Sequence, residues 1–492
     1  MGKSIKVTDQ MVLTQVEPYV WEIPPYGDMR VPGRIYGDQE IIDHLVDDVK
    51  KGKEWNALVQ IVNVAALPGI QRASMAMADV HPGYGFPIGG VGAFDLDEGV
   101  VSVAGVGYDI NCGVRTLRTD LTRKEIEPKK QALADALYQT VPAGLGSTGD
   151  IRLSLKEIDK VLVEGAEFVF RRGYGIDDDL DYIEEGGRIA GADPAAVSHK
   201  AKERQFKQVG TLGSGNHYLE VQWVDEIYDE RAAAVYGLFP NQILIGIHSG
   251  SRALGHQIGN DYLPKLEQAS RKYGIPIRER ELVCAPVNSR EGQEYLSAVS
   301  CGINCAFANR QALAHLARIG FQKALRVQPD RISTLYEVAH NTAKVETHDV
   351  DGVTKKLVVH RKGATRAFGP GRPELPKAYQ EVGQPVLVGG TMGTYSYILH
   401  GTEIAMEDTF GSALHGAGRT LSRRQAKKRF WGGDVIKGLA EQGIIICAHS
   451  QAGAAEEAPG AYKDVERVVD VMHNAGVIRK VARVRPLICI KG

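Results

Sequence analysis

The 492-residue sequence has no uninterrupted run of 18 apolar residues, so it predicts no membrane-spanning helix. Its first ten residues lack the apolar segment of a secretory signal, so we expect none. Cysteine is scarce and irregularly spaced, which is typical of a reducing cytoplasm rather than a disulfide scaffold. Cys301 and Cys305 have no His or Cys partner at zinc spacing, so we expect them to pack in the core.

The sequence also lacks an excess of basic charge. Its formal net charge is -1, with 24% charged and 43% hydrophobic residues. These are ordinary globular values, and they exclude a protein that coats nucleic acid through overall basicity. Any RNA contact must therefore come from a local patch.

Two common nucleotide-handling motifs are missing. No glycine-rich segment ends in Lys-Ser or Lys-Thr, so there is no GxxxxGK[ST] phosphate loop. The lysine box Lys-x-Asp-Gly of lysine-dependent ligases is also absent, since the nearest match, residues 349–352, has Asp349 in place of lysine. If the protein uses a nucleotide, another residue type must attack it.

Glycine is abundant, and its 56 residues cluster in segments where apolar sequence leads into glycine and then a polar residue. These segments extend from residue 79 to residue 418, without a linker or repeat, and predict strands or tight turns at a site. Apolar spacing near 3.6 predicts helices over residues 124–141, 153–172, 303–325 and 330–346. We therefore expect an α+β fold: one large mixed α/β domain over residues 1–492, with a β-sheet core flanked by helices. Residues 120–205 are expected to be a charged, helical insertion within it.

Five residues of metal-binding type follow such segments. Asp109 and Cys112 lie three apart in a glycine-bounded turn, which places a hard carboxylate near a soft thiolate and suits a borderline divalent cation. His217, His248 and His340 have similar settings, with His340 in a segment of helical appearance. Each histidine alone would more often be structural than a ligand, and a lone cysteine would more often be core, but together the five supply ligands for two metals bridged by one thiolate. Such a pair suits phosphoryl transfer.

His415 differs because it lies between small residues and precedes Arg419. Small neighbours let a phosphate reach the imidazole, and neutral imidazole can attack phosphorus near pH 7. A plain glycine-rich turn is the alternative interpretation. The basic run from Arg419 to Arg429 predicts RNA-backbone contact, although such runs are often only solvated helix faces.

Read together, these motifs resemble the RtcB family of tRNA-splicing RNA ligases. The motifs Asp-Ile-Asn-Cys-Gly-Val-Arg, Gly-Ser-Gly-Asn-His-Tyr-Leu-Glu, His-Ser-Gly-Ser-Arg, Ala-His-Asn and His-Gly-Ala-Gly-Arg occur here in that family's order. The Asp79–Gly85 segment and the terminal Ile490-Lys491-Gly492 are similar too. The resemblance extends from about residue 20 to the end.

The resemblance implies a GTP-dependent ligase with two Mn²⁺ ions, with His415 as the catalytic residue that is guanylylated. One manganese would be held by Asp109, Cys112 and His217, and the other by Cys112, His248 and His340. GTP contacts are implied for the following residues: Asn216, His217, Tyr218, Leu219, Glu220, His340, Asn341, Gly389, Gly390, Thr391, Met392, Ser396, His415, Gly416, Ala417, Gly418 and Lys491. Glu220 and Lys491 would select guanine.

The implied reaction joins an RNA 2′,3′-cyclic phosphate or 3′-phosphate end to a 5′-hydroxyl end, in tRNA splicing and RNA repair. It passes through histidine–GMP and then through a guanylylated 3′-phosphate. RNA is the expected partner, the small activating protein archease is a candidate partner, and no membrane is expected. Two alternatives remain open from the sequence: a dinuclear metal-dependent phosphodiesterase and a non-catalytic RNA-binding protein.

Overall fold

The computed structural model of the chain describes residues 2–144 and 146–492. Its strands are β1 (Ser4–Lys6), β2 (Val12–Glu17), β3 (Val20–Ile23), β4 (Gly33–Tyr36), β5 (Ser74–His81), β6 (Ile88–Asp95), β7 (Val100–Ser102), β8 (Gly113–Thr122), β9 (Tyr218–Ile227), β10 (Gln242–Ser249), β11 (Cys284–Pro286), β12 (Ile332–Ala339), β13 (Asn341–Val350), β14 (Val353–Lys362), β15 (Ala364–Arg366), β16 (Pro385–Val388), β17 (Ser396–Gly401), β18 (Ser412–Leu414), β19 (Ile445–Ala448) and β20 (Ile478–Lys491).

The α-helices lie between them along the chain. They are α1 (Gln39–Lys50), α2 (Ala57–Ala65), α3 (Val103–Val106), α4 (Arg123–Ile126), α5 (Lys130–Thr140), α6 (Leu155–Glu164), α7 (Ala166–Phe170), α8 (His199–Gln205), α9 (Glu230–Tyr236), α10 (Arg252–Lys272), α11 (Arg290–Leu325), α12 (Glu403–Thr409), α13 (Arg423–Arg429), α14 (Gly432–Glu441), α15 (Gln451–Glu456) and α16 (Val465–Asn474).

Two large sheets organise the fold. The first has the strand order β1-β2-β3-β4-β5-β6-β14-β13, and the second has the order β12-β8-β10-β9-β20-β17-β16, with β19 pairing with β20. Small two-stranded sheets join β7 to β11 and β15 to β18. The expected α+β fold with a β-sheet core and flanking helices is confirmed. No helix within residues 2–144 and 146–492 is long and apolar enough to cross a membrane.

Helix α11 is the longest helical element and is buried for most of its 36 residues. Ser289 caps its first turn by accepting from the Gly292 N–H at 3.0 Å. Cys301 and Cys305 are both fully buried in this helix, which confirms that they pack in the core. The helix lies against α5, α6, α7, α10 and β10, so it connects the charged segment to the second sheet.

The helix predicted over residues 330–346 is wrong. These residues form β12 and β13, with a break at His340. Val338, Thr342 and other β-branched residues lose rotamer freedom in a helix and pack well on a pleated sheet. Because β12 belongs to the second sheet and β13 to the first, His340 lies where the chain crosses between them.

The segment from residue 123 to residue 205 forms helices and 3-10 turns where the structure describes it. Buried Asp179 ties it to the rest, because its carboxylate accepts from Arg318 at 2.6 and 2.7 Å and from Thr334 Oγ1 at 2.6 Å. The other predicted helices, over residues 124–141, 153–172 and 303–325, coincide with α4 to α7 and with α11. That the whole chain is one domain stays a prediction.

Candidate active site

Strand register brings the candidate metal ligands to one end of the second sheet. Gly113 pairs with Ser249 of β10 and with Ala339 of β12. His248 in turn lies opposite Tyr218 of β9. Cys112 and His217 immediately precede β8 and β9, and His340 immediately follows β12, so their side chains converge there with His248.

Arg310 of α11 binds the backbone of two of the segments that carry these ligands. Its Nη1 donates to the Asn111 carbonyl at 2.6 Å and to the Ser249 carbonyl at 2.8 Å. The buried Glu337 carboxylate accepts from Arg310 Nε at 2.8 Å and neutralises the charge. Because Asn111 precedes Cys112 and Ser249 follows His248, this guanidinium holds two ligand-bearing segments in place.

The donor atoms form two groups that share Cys112. Cys112, His248 and His340 offer ligand atoms within 4.8 Å of one another, and so do Asp109, Cys112 and His217. The Cys112 Sγ lies 3.2 Å from His248 Nε2 and 3.4 Å from His217 Nε2. His217 Nε2 lies 2.8 Å from Asp109 Oδ2, and His248 Nε2 lies 3.2 Å from His340 Nε2. One thiolate between carboxylate and imidazole donors fits a pair of borderline divalent cations.

The protonation states of the histidine ligands suit cation binding. Burial lowers the pKa of His248 and of His340 well below the usual range, so both imidazoles are neutral. The backbone carbonyl of Asn216 lies 3.0 Å from His248 Nδ1 and fixes the tautomer with Nε2 free. Burial and then Asp109 raise the pKa of the Cys112 thiol, so a bound cation must supply the charge that ionises it.

His415 approaches this cluster from the small sheet of β15 and β18. It follows β18, whose Leu414 pairs with Ala364 of β15, and the Ala364 N–H donates to the His340 carbonyl at 3.1 Å. The rings of His340 and His415 have centroids 4.9 Å apart. The predicted nucleophile therefore lies beside the predicted metal ligands.

The Asp79 carboxylate of β5 orients His415. His415 Nδ1 lies 2.6 Å from Asp79 Oδ2, and the backbone N–H groups of His415 and Gly416 donate to the same oxygen at 3.0 and 3.3 Å. Asp79 is fully buried. Gly418, at φ +74°, passes so close to the Asp79 backbone that a Cβ there would lie 2.1 Å from its carbonyl oxygen. With Nδ1 donating to a carboxylate, Nε2 is the free nucleophilic nitrogen.

These groups line one cavity of about 490 Å³. The sequence-predicted residues on its wall are Asp109, Cys112, Asn216, His217, Tyr218, His248, His340, Asn341, Gly389, Gly390, His415, Gly416, Ala417 and Gly418. A narrow extension shares Asn216, Tyr218 and Gly390 with it and adds Glu220, Thr391, Met392 and Lys491. The structure thus brings nearly all predicted site residues to one cavity.

Two residues predicted to contact GTP do not line the cavity or its extension. The Leu219 side chain points to the other face of β9, because successive strand residues alternate, and packs in the core with Ile247 and Ile490. Ser396 begins β17, and its Oγ accepts from the Gly390 N–H at 3.0 Å. It therefore holds the Gly389–Gly390 loop against the cavity.

Glu220 is a buried carboxyl that lines the narrow extension. Burial raises its pKa to about 7, against the opposing effects of Gln222, Cys489 and Lys491. Gln222 Nε2 donates to Glu220 Oε2 at 2.8 Å, and Lys491 Nζ donates to the Gly215 carbonyl at 2.8 Å. Lys491 ends β20 opposite Tyr218 and is 3% exposed, so this end of β20 is built into the site.

Several side chains of the basic run form hydrogen bonds and ion pairs within the protein, which the sequence does not indicate. Arg419 Nη1 donates to Glu457 Oε2 at 3.1 Å and to Tyr462 OH at 2.7 Å. Arg423 and Lys427 of α13 both pair with Glu456, at 3.1 and 2.9 Å. Arg419 and Arg423 nevertheless line the cavity and contribute positive charge there.

The role of Asp79 was not predicted from the sequence, in which this residue stood out only as part of the Asp79–Gly85 segment. The available signal was a single acidic residue after the apolar run Met-Ala-Met-Ala within β5. The glycine-rich segment before Asp109, expected to be a strand or a tight turn, contains the short helix α3. No sequence pattern marks Lys362 as a site residue, yet it lines the cavity and donates to the Tyr84 carbonyl at 2.9 Å.

Paired cation-ligand groups beside an oriented histidine are typical of metal-dependent phosphoryl-transfer enzymes. Comparison with known proteins agrees with this class. The sequence model of the family described as tRNA-splicing ligase RtcB matches residues 60–492. A tRNA-splicing ligase RtcB of Thermococcus kodakarensis is 51% identical over 98% of this chain and 100% of its own length. Those of Methanococcus maripaludis and Aeropyrum pernix are 50% and 51% identical, over 98% and 97% of this chain and 99% of each relative. The chain belongs to the RtcB family, which confirms the resemblance.

Proposed function

We propose that the protein is a GTP- and manganese-dependent RNA ligase acting in tRNA splicing and RNA repair. It joins RNA ends with a 2′,3′-cyclic phosphate or 3′-phosphate to 5′-hydroxyl ends. The observation that carries this proposal is the His415–Asp79 pair beside the two cation-ligand groups. Membership of a family of tRNA-splicing ligases supports it.

His415 is the catalytic nucleophile in this proposal. Its Nε2 forms a bond to the α-phosphorus of GTP while the bond from that phosphorus to the pyrophosphate oxygen breaks. Asp79 holds the Nδ1 proton throughout and offsets the positive charge that develops on the ring. The product is a histidine–GMP phosphoramidate.

RNA chemistry then follows at the same site. Water opens the cyclic phosphate by breaking the bond between phosphorus and the 2′-oxygen. An oxygen of the resulting 3′-phosphate attacks the histidine-bound phosphorus, and the P–N bond breaks to release His415. Finally the 5′-hydroxyl oxygen attacks the 3′-phosphorus, GMP leaves, and a phosphodiester remains.

We propose two Mn²⁺ ions, one on Asp109, Cys112 and His217 and one on Cys112, His248 and His340. The mixed oxygen, nitrogen and sulfur donors within 4.8 Å support this assignment. When bound, the ions offset phosphate charge and polarise phosphorus.

We propose that the narrow extension of the cavity receives guanine. Ionised Glu220 would accept from the guanine N1–H and exocyclic amine, and Lys491 would donate to O6. The buried position of both groups supports this role, since unpaired polar groups there penalise a wrong base. The remaining GTP contacts expected from the resemblance stay proposals.

The proposed compartment is the cytoplasm, where Cys112 stays reduced. RNA ends are the proposed substrates, and archease is a proposed partner.

Radiolabelled GTP and Mn²⁺ test the proposal. After denaturing electrophoresis, wild-type protein should retain an acid-labile, base-stable label, and His415→Ala should retain none while still binding metal. His315→Ala is a matched control, because His315 is half-buried on α11 away from the cavity. A phosphodiesterase or a plain RNA-binding protein would take up no label, and labelled His415→Ala would refute the assignment.

A further inference from the structure

Three aromatic side chains outside the proposed chemistry lie in a row that begins on the cavity wall, with neighbouring rings packed edge to face. Trp55 and Tyr84 have ring centroids 4.9 Å apart, and Tyr84 and Tyr108 have centroids 6.2 Å apart. Trp55 is 41% exposed and Tyr84 is 52% exposed, which is high for large rings. We call Trp55, Tyr84 and Tyr108 the aromatic row.

The aromatic row starts at the proposed active site. Tyr84 and Tyr108 line the cavity wall, and Tyr108 directly precedes the candidate ligand Asp109. From there the row passes through Tyr84 to Trp55, which is not on the wall. It therefore leads outward from the point where a terminal phosphate would lie.

Tyr84 is presented from a fixed loop. The Gly83 N–H donates to Gln60 Oε1 at 3.0 Å, and the Gly85 N–H donates to Glu279 Oε1 at 3.0 Å. The buried Lys362 Nζ donates to the Tyr84 carbonyl at 2.9 Å. Because the backbone is held on both sides, little ordering entropy is lost when a flat ligand stacks on the ring.

We propose that the aromatic row stacks the unpaired bases of the RNA strand that carries the 3′-phosphate. The proposal rests on the proposed ligase function, because it takes the ligand groups as the place of the 3′-phosphate. Every base offers a π-face to an aromatic ring, so such stacking tolerates any sequence. Arg419 and Arg423 on the same cavity contribute positive charge that favours a nucleic acid strand.

The order of the three rings indicates which of the two RNA strands lies on the aromatic row. A 3′-phosphate held beside Asp109 places the base of its own nucleotide near Tyr108, and the preceding bases extend toward Tyr84 and Trp55. The 5′-hydroxyl strand carries no phosphate at its reacting end, so its first base has no such anchor next to the row.

Fluorescence anisotropy of single-stranded RNA, without GTP, tests this assignment. One probe carries a 3′-phosphate and a 5′ dye, and the other carries a 5′-hydroxyl and a 3′ dye. Tyr84→Ala and Trp55→Ala should each weaken binding of the 3′-phosphate probe about 5- to 150-fold, the range expected for one lost stack. Tyr84→Phe, which keeps the ring, should restore it.

Tyr273→Ala is the matched control. Tyr273 is 39% exposed and follows the last residue of α10, roughly 25 Å along that helix from His256, which packs on Tyr108. Its removal should leave both probes unaffected, and thermal unfolding of each variant should match the wild type.

Unchanged binding of the 3′-phosphate probe in Tyr84→Ala and Trp55→Ala overturns the proposal and leaves the row as a protein-docking candidate. A loss that is equal or larger for the 5′-hydroxyl probe overturns the strand assignment. GTP labelling of the wild-type protein is measured separately without RNA. Its failure would count against the ligase proposal, whereas the anisotropy result bears on the row alone.

Discussion

His415 and Asp79 are separated by 336 residues in the chain, and Nδ1 of the histidine lies 2.6 Å from Oδ2 of the aspartate. The carboxylate accepts from the ring and from two backbone N–H groups of the same loop, so it fixes both the ring tautomer and the loop. Asp79 lies on β5 and His415 follows β18, so no local sequence pattern shows that the two side chains meet.

Asp79→Asn should slow formation of the histidine–GMP adduct by about 10²-fold or more, because an amide can donate to Nδ1 and move the ring proton to Nε2. Single-turnover labelling with GTP measures the rate. Asp95→Asn is a suitable control, since Asp95 ends the neighbouring strand β6 and does not line the cavity. An adduct formed at the wild-type rate by Asp79→Asn would remove Asp79 from the mechanism.

Cys112→Ala should lose both metal ions, whereas His248→Ala should mainly weaken one, because the two donor groups share only the cysteine. Metal content after dialysis, measured by mass spectrometry, distinguishes the two variants. Cys284→Ala, at a buried cysteine outside both groups, serves as the control. Two tightly held manganese ions in Cys112→Ala would exclude a bridging thiolate.

Glu220 should make stability and GTP binding depend on pH in opposite directions. Its folded pKa of about 7 lies above the ordinary value of 4.5, so the folded state favours the protonated carboxyl. That contribution to stability is complete below pH 4.5 and is lost as the pH rises through 7. The wild-type GTP affinity should instead fall below pH 7, as the acceptor carboxylate becomes protonated.

Glu220→Gln therefore should stabilise the nucleotide-free protein above pH 7, by on the order of 3 kcal/mol at most, and should change little at pH 5. Thermal unfolding at both pH values measures this, and GTP affinity should be weak at each. Glu226→Gln, at an exposed position of the same strand, should show neither effect. A gain that is equal at both pH values would contradict the buried-carboxyl explanation.

Asp179→Ala should destabilise the protein by about 3–5 kcal/mol, because it leaves the fully buried Arg318 guanidinium without its partner. Arg318 and its hydrogen bonds hold the pKa of Asp179 well below its usual range despite burial, so this stability is present above pH 4 and is lost on acidification. Urea unfolding at pH 7 measures the change. Asp181→Ala, two residues away on the exposed side of the same turn, should cost under about 1 kcal/mol, and similar costs for both variants would contradict the assignment.

The chemistry-bearing residues themselves were predictable from local sequence. Asp109, Cys112 and His415 follow apolar segments and lie among glycines, a pattern that places a polar group at a strand end or turn near a ligand. His340 was recognised as a ligand candidate although its surroundings were assigned the wrong secondary structure. Spacing near 3.6 and the β-branched content of β12 and β13 point to different structures, and sheet pairing decided between them.

By itself the sequence determined which residue types were available for catalysis, their order along the chain and their immediate backbone setting, because these depend on neighbours a few residues away. Only the tertiary structure decided that Cys112, His248 and His340 meet, since that follows from the register of β8, β10 and β12. It also decided that Asp79 orients His415 and that Lys491 is buried, because contacts between residues hundreds of positions apart depend on strand pairing and packing rather than on any local pattern.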